Sequence, residues 1–165
     1  MHTLYLCSVW LHIMAATTWI GGIIFLVLVI VPWLRAEGRV VGPTFLRATG
    51  ERFRRIAWVC FAILVVTGVI NLWLRGVRPD DFSRAAWLNS AFGTTVVVKL
   101  GLFVVVLGIS ALHDFVVGPR ASAALERDPN STQAAKLRRQ ASLLGRTNGI
   151  MALLLVAVAV WLVRG

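Results

Sequence analysis

The chain has 165 residues, 58% of them hydrophobic and 15% charged, whereas an ordinary soluble domain has about 45–50% apolar and about 25% charged residues. With a mean hydropathy of +0.80, this balance excludes a water-soluble globular protein and points to one integral membrane domain. The formal net charge of +10 does not indicate nucleic acid as a partner, because nearly all the basic residues lie outside the apolar runs, where membrane topology accounts for them.

A helix needs about 20 apolar residues to cross the hydrocarbon core, and the sequence predicts four such spans, over roughly 5–32, 56–75, 92–117 and 147–163. The first contains LHIMAATTWIGGIIFLVLVIVPW and is too long for a signal-peptide core. With no small-x-small cleavage site after it, it reads as an uncleaved membrane helix. Pro32 and Pro119 are expected to mark the ends of the first and third spans, where a missing N–H costs least. The fourth run is short, and STQAAKLRRQASLLGR before it is expected to extend the helix, with Ser131 or Thr132 as its cap. The expected fold is all-α, an integral membrane antiparallel four-helix bundle, with cytoplasmic loops at 33–55 and 118–146. Cys7 and Cys60 fit neither a disulfide framework nor a zinc site.

Orientation follows from the basic residues. Arg35, Arg39, Arg47, Arg52, Arg54 and Arg55 follow the first span, and Arg120, Arg127, Lys136, Arg138, Arg139 and Arg146 follow the third. These twelve stand against Arg75, Arg78, Arg84 and Arg164 on the other side. The positive-inside rule then places both termini outside the cytoplasm.

Ionisable groups inside a span cost about 2.5–3.5 kcal/mol at its centre and usually face the bundle interior. Three stand out: His12 in the first span, and Lys99 and His113 in the third. His12 and Lys99 lie near the starts of parallel spans, so similar depths are expected. His113 is fourteen residues beyond Lys99, roughly 21 Å along the helix. His12 and His113 of one chain therefore cannot share an ion, and a bis-imidazole site requires the same residue from a second copy, in a homodimer. Tyr5, Ser8, His12, Ala15 or Ala16, Trp19 and Gly22 share one face of the first span. Thr95, Lys99, Phe103, Val106, Ser110 and His113 share one face of the third. The bland account of such stripes, and of Gly21, Gly22, Gly68, Gly101 and Gly108, is helix–helix contact.

A second set lies toward the cytoplasmic side, where Cys60, His113 and Met151 have similar expected depths. Thiolate, imidazole and thioether suit copper, while Cys60 and Met151 are equally ordinary apolar fillers. Asp114 either hydrogen-bonds His113 or is a solvated helix-end residue. His2 beside Met1 is a further outer copper ligand or simply part of an exposed terminus.

The ordered set His12, Trp19–Gly22, Arg52–Phe53, Thr67–Gly68, Lys99–Leu100 and Ala111–Leu112 resembles the CopD family, named after copper-resistance protein D. LHIMAATTWIGGIIFL, RFRRIAWVCFAILVVTGVINLWL and FGTTVVVKLGLFVVVLGISAL carry the likeness. It implies copper uptake or resistance in a bacterial-type inner membrane, with this chain as a stand-alone four-span core. His12 with Lys99–Leu100 is also similar to the HemJ type of protoporphyrinogen oxidase, although VPWLRAEGR departs from that family's pattern.

Three readings remain. In the first, copper binds His12 on the outer side, with His113, Cys60 and Met151 as an inner set. Cys7 and Met14 point away from His12, and soft ligands between the two ends are scarce for a conduit, which needs several weak sites in sequence. In the second, haem b takes His12 as axial ligand, Lys99 opposite it after losing its proton, and Trp19 and Gly22 as the surface for the flat ring. In the third, His12 and Lys99 only hydrogen-bond across the bundle or snorkel. No soluble catalytic motif occurs; an enzyme of this kind would be a haem-dependent oxidoreductase. The lipid bilayer is the partner common to all three readings.

Overall fold

In the computed structural model, residues 2–36, 42–128 and 130–164 are described. Met1 and Arg39, which enter the expectations above, lie outside them. The fold is all-α, with no strand among the described residues. Among the described residues, four helical stretches are long and apolar enough to cross a membrane: His2–Trp33, Ala48–Leu74, Ala91–Arg127 and Thr132–Leu162. The chain divides into two compact units, Met1–Arg84 and Ala85–Gly165.

The first unit is an antiparallel helical hairpin. Helix α1 (His2–Phe25) runs through a π-helical turn, Leu26–Ile30, into α2 (Val31–Ala36), and the chain returns along α3 (Gly42–Leu74). Tyr5 meets Arg75, His12 meets Thr67 and Trp19 meets Phe61, which fixes the antiparallel register. Helix α3 stops at a glycine for a definite reason. Gly76 has φ +86, which only a residue without Cβ adopts freely. The Val77 N–H returns to the Leu72 carbonyl at 3.1 Å and the Gly76 N–H to that of Trp73 at 3.0 Å, a Schellman closure. The Arg78 guanidinium then stacks on the Trp73 ring at 3.9 Å. Asp81, buried in the following short 3₁₀ turn, pairs with Arg84 and accepts the Arg78 backbone N–H.

The second unit is also a hairpin. After the short α4 (Ala85–Leu88), Ser90 caps α5 (Ala91–Ala111) by accepting the Gly93 N–H at 3.0 Å. A π-helical turn, Leu112–Val117, leads into α6 (Gly118–Arg127), and α7 (Thr132–Arg164) runs back along both. Ser131 is the cap of α7, accepting the Ala134 N–H at 3.2 Å. Inside this hairpin Asn148 donates to the Ser110 hydroxyl at 3.0 Å. Interhelical hydrogen bonds in membranes average about 0.6 kcal/mol. Ser110→Ala is accordingly expected to lower stability by about 0.6 kcal/mol, read from the unfolding midpoint in a detergent titration.

The prolines do not stop their helices. Helical backbone continues past Pro32 to Ala36 and past Pro119 to Arg127. A proline ring collides with the carbonyl four residues back and leaves it without a donor. Here a widened turn precedes each one, closed by Val31 N–H to the Leu26 carbonyl and by Gly118 N–H to the His113 carbonyl. A Cβ on Gly118 would come within 2.9 Å of that His113 oxygen, so a glycine suits the wider turn. The starts of both segments expected as loops, 33–36 and 118–127, are therefore helical, because a proline after a π-turn bends a helix without breaking it.

Candidate functional site

The seam between α1 and α3 holds His12, one of the ionisable residues singled out from the sequence, beside polar groups of α3. The stripe on α1 faces α3: Ser8, Ala15 and Trp19 are buried, His12 is half-buried, and Tyr5 and Gly22 touch α3 at the two ends. Opposite them, Ala57, Cys60, Phe61, Leu64 and Thr67 of α3 are buried, positions that share one helix face.

His12 sits in the middle of this seam. Its Nδ1 lies 2.7 Å from the Thr67 hydroxyl. That hydroxyl donates its own proton to the Ile63 carbonyl at 2.6 Å. A hydroxyl has one proton to give, so towards His12 it acts as acceptor. Thr67 is itself held, since Ser8 donates to its backbone carbonyl at 3.4 Å. Gly68 completes the setting: a Cβ there would stand 3.7 Å from His12 Cε1, in ordinary contact with the ring edge. One turn further along α3, Asn71 Oδ1 is shielded from solvent with no hydrogen-bond partner among the described residues. An acceptor buried in this way costs about 1–3 kcal/mol.

Below His12 the seam is aromatic. Trp19 is 2% exposed and meets Phe61 edge to face at 4.9 Å, and Phe61 meets Trp58 at 5.4 Å. Gly22 does receive a flat ring, but it is the Phe53 phenyl, which a Cβ on Gly22 would overlap. The surface along Trp19 and Gly22 considered for a macrocycle is thus covered by side chains of α3.

The remaining candidates are spread over both units. Cys60 is buried in the first, on α3. Lys99, His113 and Met151 belong to the second, and each is half-buried. His113 lies in the π-turn with Nδ1 2.9 Å from the Asp114 carboxylate, and its side chain is 37% exposed. Within that unit the Ser110–Asn148 bond sets the register. His113 is three residues beyond Ser110 and Met151 three beyond Asn148 on antiparallel helices, so the two are offset by roughly 9 Å along the axis. Equal counting from span ends had given them one depth, whereas the register moves them apart. Among the described residues no three His, Cys, Asp or Glu side chains gather closely enough to hold a metal ion. Cys7 is exposed, on the side of α1 away from His12's contacts.

Thr67 was visible in the sequence only as part of a family pattern, and Asn71 was not singled out. Their signal was available: Ile63, Thr67 and Asn71 recur every four residues, with two polar groups in an otherwise apolar span. Ser110 and Asn148 sit in the second hairpin in the same way.

A family model described as copper resistance protein D matches residues 47–162. The match begins after the first span, so it includes Thr67, Lys99, His113 and Met151 but not His12. An uncharacterized protein of Aquifex aeolicus (strain VF5) is 32% identical over 91% of this chain and 89% of its own length. The copper transport protein CutJ of Bacillus subtilis (strain 168) is 32% identical over 62% of this chain, which corresponds to 17% of that protein. Copper resistance protein D of Pseudomonas syringae pv. tomato is 25% identical over 92% of this chain and 46% of its length. The chain thus spans less than half of these two copper-named relatives. No solved structure matches.

Proposed function

The chain belongs to the copper resistance protein D family, and from that premise we propose that it binds a copper ion within the membrane, with His12 Nε2 as donor, in the course of moving the ion between the two faces of a bacterial-type inner membrane. The observation that carries this reading is an imidazole held in the α1–α3 seam with its Nδ1 2.7 Å from the Thr67 hydroxyl, whose own proton goes to the Ile63 carbonyl. Imidazole nitrogen suits copper, and metal-bound histidines usually donate their other ring N–H to a fixed acceptor. The orphaned Asn71 oxygen one turn away adds an acceptor that a hydrated ion would satisfy. Haem is the weaker reading, because Phe53 and Phe61 stand where its ring would lie along α1.

The test is a Cu(I) titration of the detergent-purified chain against a colorimetric chelator, with an absorbance spectrum of the same sample. Binding of copper is expected; a blank titration overturns the reading, and a Soret band would put haem in its place.

Topology is part of the proposal. Of the seventeen Lys and Arg residues, twelve follow the first and third spans and four lie on the opposite side, Lys99 being within a span. This bias supports both termini on the periplasmic face. A phosphatase active only in the periplasm, fused after Gly165, is expected to be active, and a fluorescent reporter that matures only in the cytoplasm is expected to be dark there. The reverse pattern would invert the assignment.

A further inference from the structure

We infer that Thr67 is a positioning residue for the ion site: its hydroxyl, anchored on the Ile63 carbonyl, selects the His12 tautomer and so determines which ring nitrogen can bind an ion. The inference rests on the copper reading for its consequence, but its structural content stands apart from it.

Three features carry it. The Thr67 hydroxyl has a single proton, and the 2.6 Å bond to the Ile63 carbonyl uses it. The 2.7 Å approach of His12 Nδ1 can then be attractive only if that nitrogen carries the hydrogen. Thr67 is also a fixed reference point. It is 4% exposed, its carbonyl accepts from Ser8, and its side chain is bonded back to its own helix. Its χ1 is further restricted because it is β-branched. Finally, the ring edge lies close to α3 beside the hydroxyl, with a would-be Cβ on Gly68 standing 3.7 Å from Cε1 in ordinary contact. A neutral imidazole has one donor and one acceptor nitrogen, and the bond made by one decides the role of the other. Committing Nδ1 as donor leaves Nε2 as the ligand before any ion arrives, so no proton has to move between the ring nitrogens when copper binds.

The experiment uses the full chain carrying nitrogen-isotope-labelled histidine, in detergent and without copper. A His12→Gln spectrum identifies the His12 signals against those of His2 and His113. In the wild type, Nδ1 is expected to be protonated and Nε2 unprotonated. Thr67→Val has the same shape without the hydroxyl, and is expected to shift the ring to a mixture of tautomers. Thr67→Ser is expected to restore the wild-type signature. In the parallel Cu(I) titration, Thr67→Val weakens binding by about 10–100-fold while Thr67→Ser stays within about threefold of wild type, the range seen when partners behind a metal ligand are removed. A wild-type ring protonated on Nε2, or a Thr67→Val ring identical to wild type, overturns the inference. If the valine protein does not fold, the wild-type spectrum alone still decides the tautomer. If the wild-type signature is as stated and no copper binds, the copper reading fails and the tautomer assignment is upheld.

Discussion

His12→Ala is expected to lower Cu(I) affinity by at least about 100-fold, more than the 10–100-fold expected for losing a partner behind a ligand, because the substitution removes the proposed ligand itself. The change should leave the hairpin standing. His12 hydrogen-bonds Thr67 across the seam, and interhelical hydrogen bonds in membranes average about 0.6 kcal/mol. Helical content and elution from gel filtration are thus expected to match wild type while the chelator competition fails. Full copper occupancy in the alanine protein would remove the imidazole from the site. The ligand would then have to be sought in the second unit, around His113.

Trp19→Ala is expected to have the opposite profile, a large loss of stability with little direct effect on the donor atom. Trp19 is 2% exposed and stacks edge-on against Phe61, which in turn meets Trp58. Removing a buried Trp or Phe from a soluble core costs about 3–5 kcal/mol through transfer and cavity terms. Lipid tails are as apolar as the side chain, so the transfer part shrinks in a bilayer and the packing part dominates. A loss of about 2–3 kcal/mol follows, measured as a shift of the unfolding midpoint in a detergent titration. Trp19→Phe keeps an aromatic edge for Phe61 and should lose less than about 1.5 kcal/mol. Copper affinity of folded Trp19→Ala protein within about tenfold of wild type would separate packing from ligation; a midpoint unchanged from wild type would show that the aromatic seam does not hold the hairpin together.

The two substitutions probe neighbouring levels of one seam. Polar contacts gather toward the start of α1, where Tyr5, Ser8 and His12 meet Arg75 and Thr67. Rings gather further along it, where Trp19 and Gly22 meet Phe61 and Phe53. An ion is better stabilised at the polar level, and the aromatic level closes the seam beneath it. The π-turns lie further still, ahead of Pro32 and Pro119. Each hairpin has the same device at the same place in its first helix. Sequence periodicity could not reveal it, because a proline normally reads as a stop.

By itself the sequence determined the membrane class, the number of spans, the face of α1 that meets its neighbour and the identity of the ionisable groups within the spans. Hydrocarbon enforces these properties residue by residue: a spanning helix must be long and apolar, and a polar exception such as His12 is visible against that background. The interhelical register was decided by the tertiary structure. Rotation about each helix axis and sliding along it depend on how side chains from two helices fit together, and no single helix encodes that fit. It is this fit that brings Thr67 to His12, sets the Phe53 ring against Gly22, and puts His113 and Met151 at different heights.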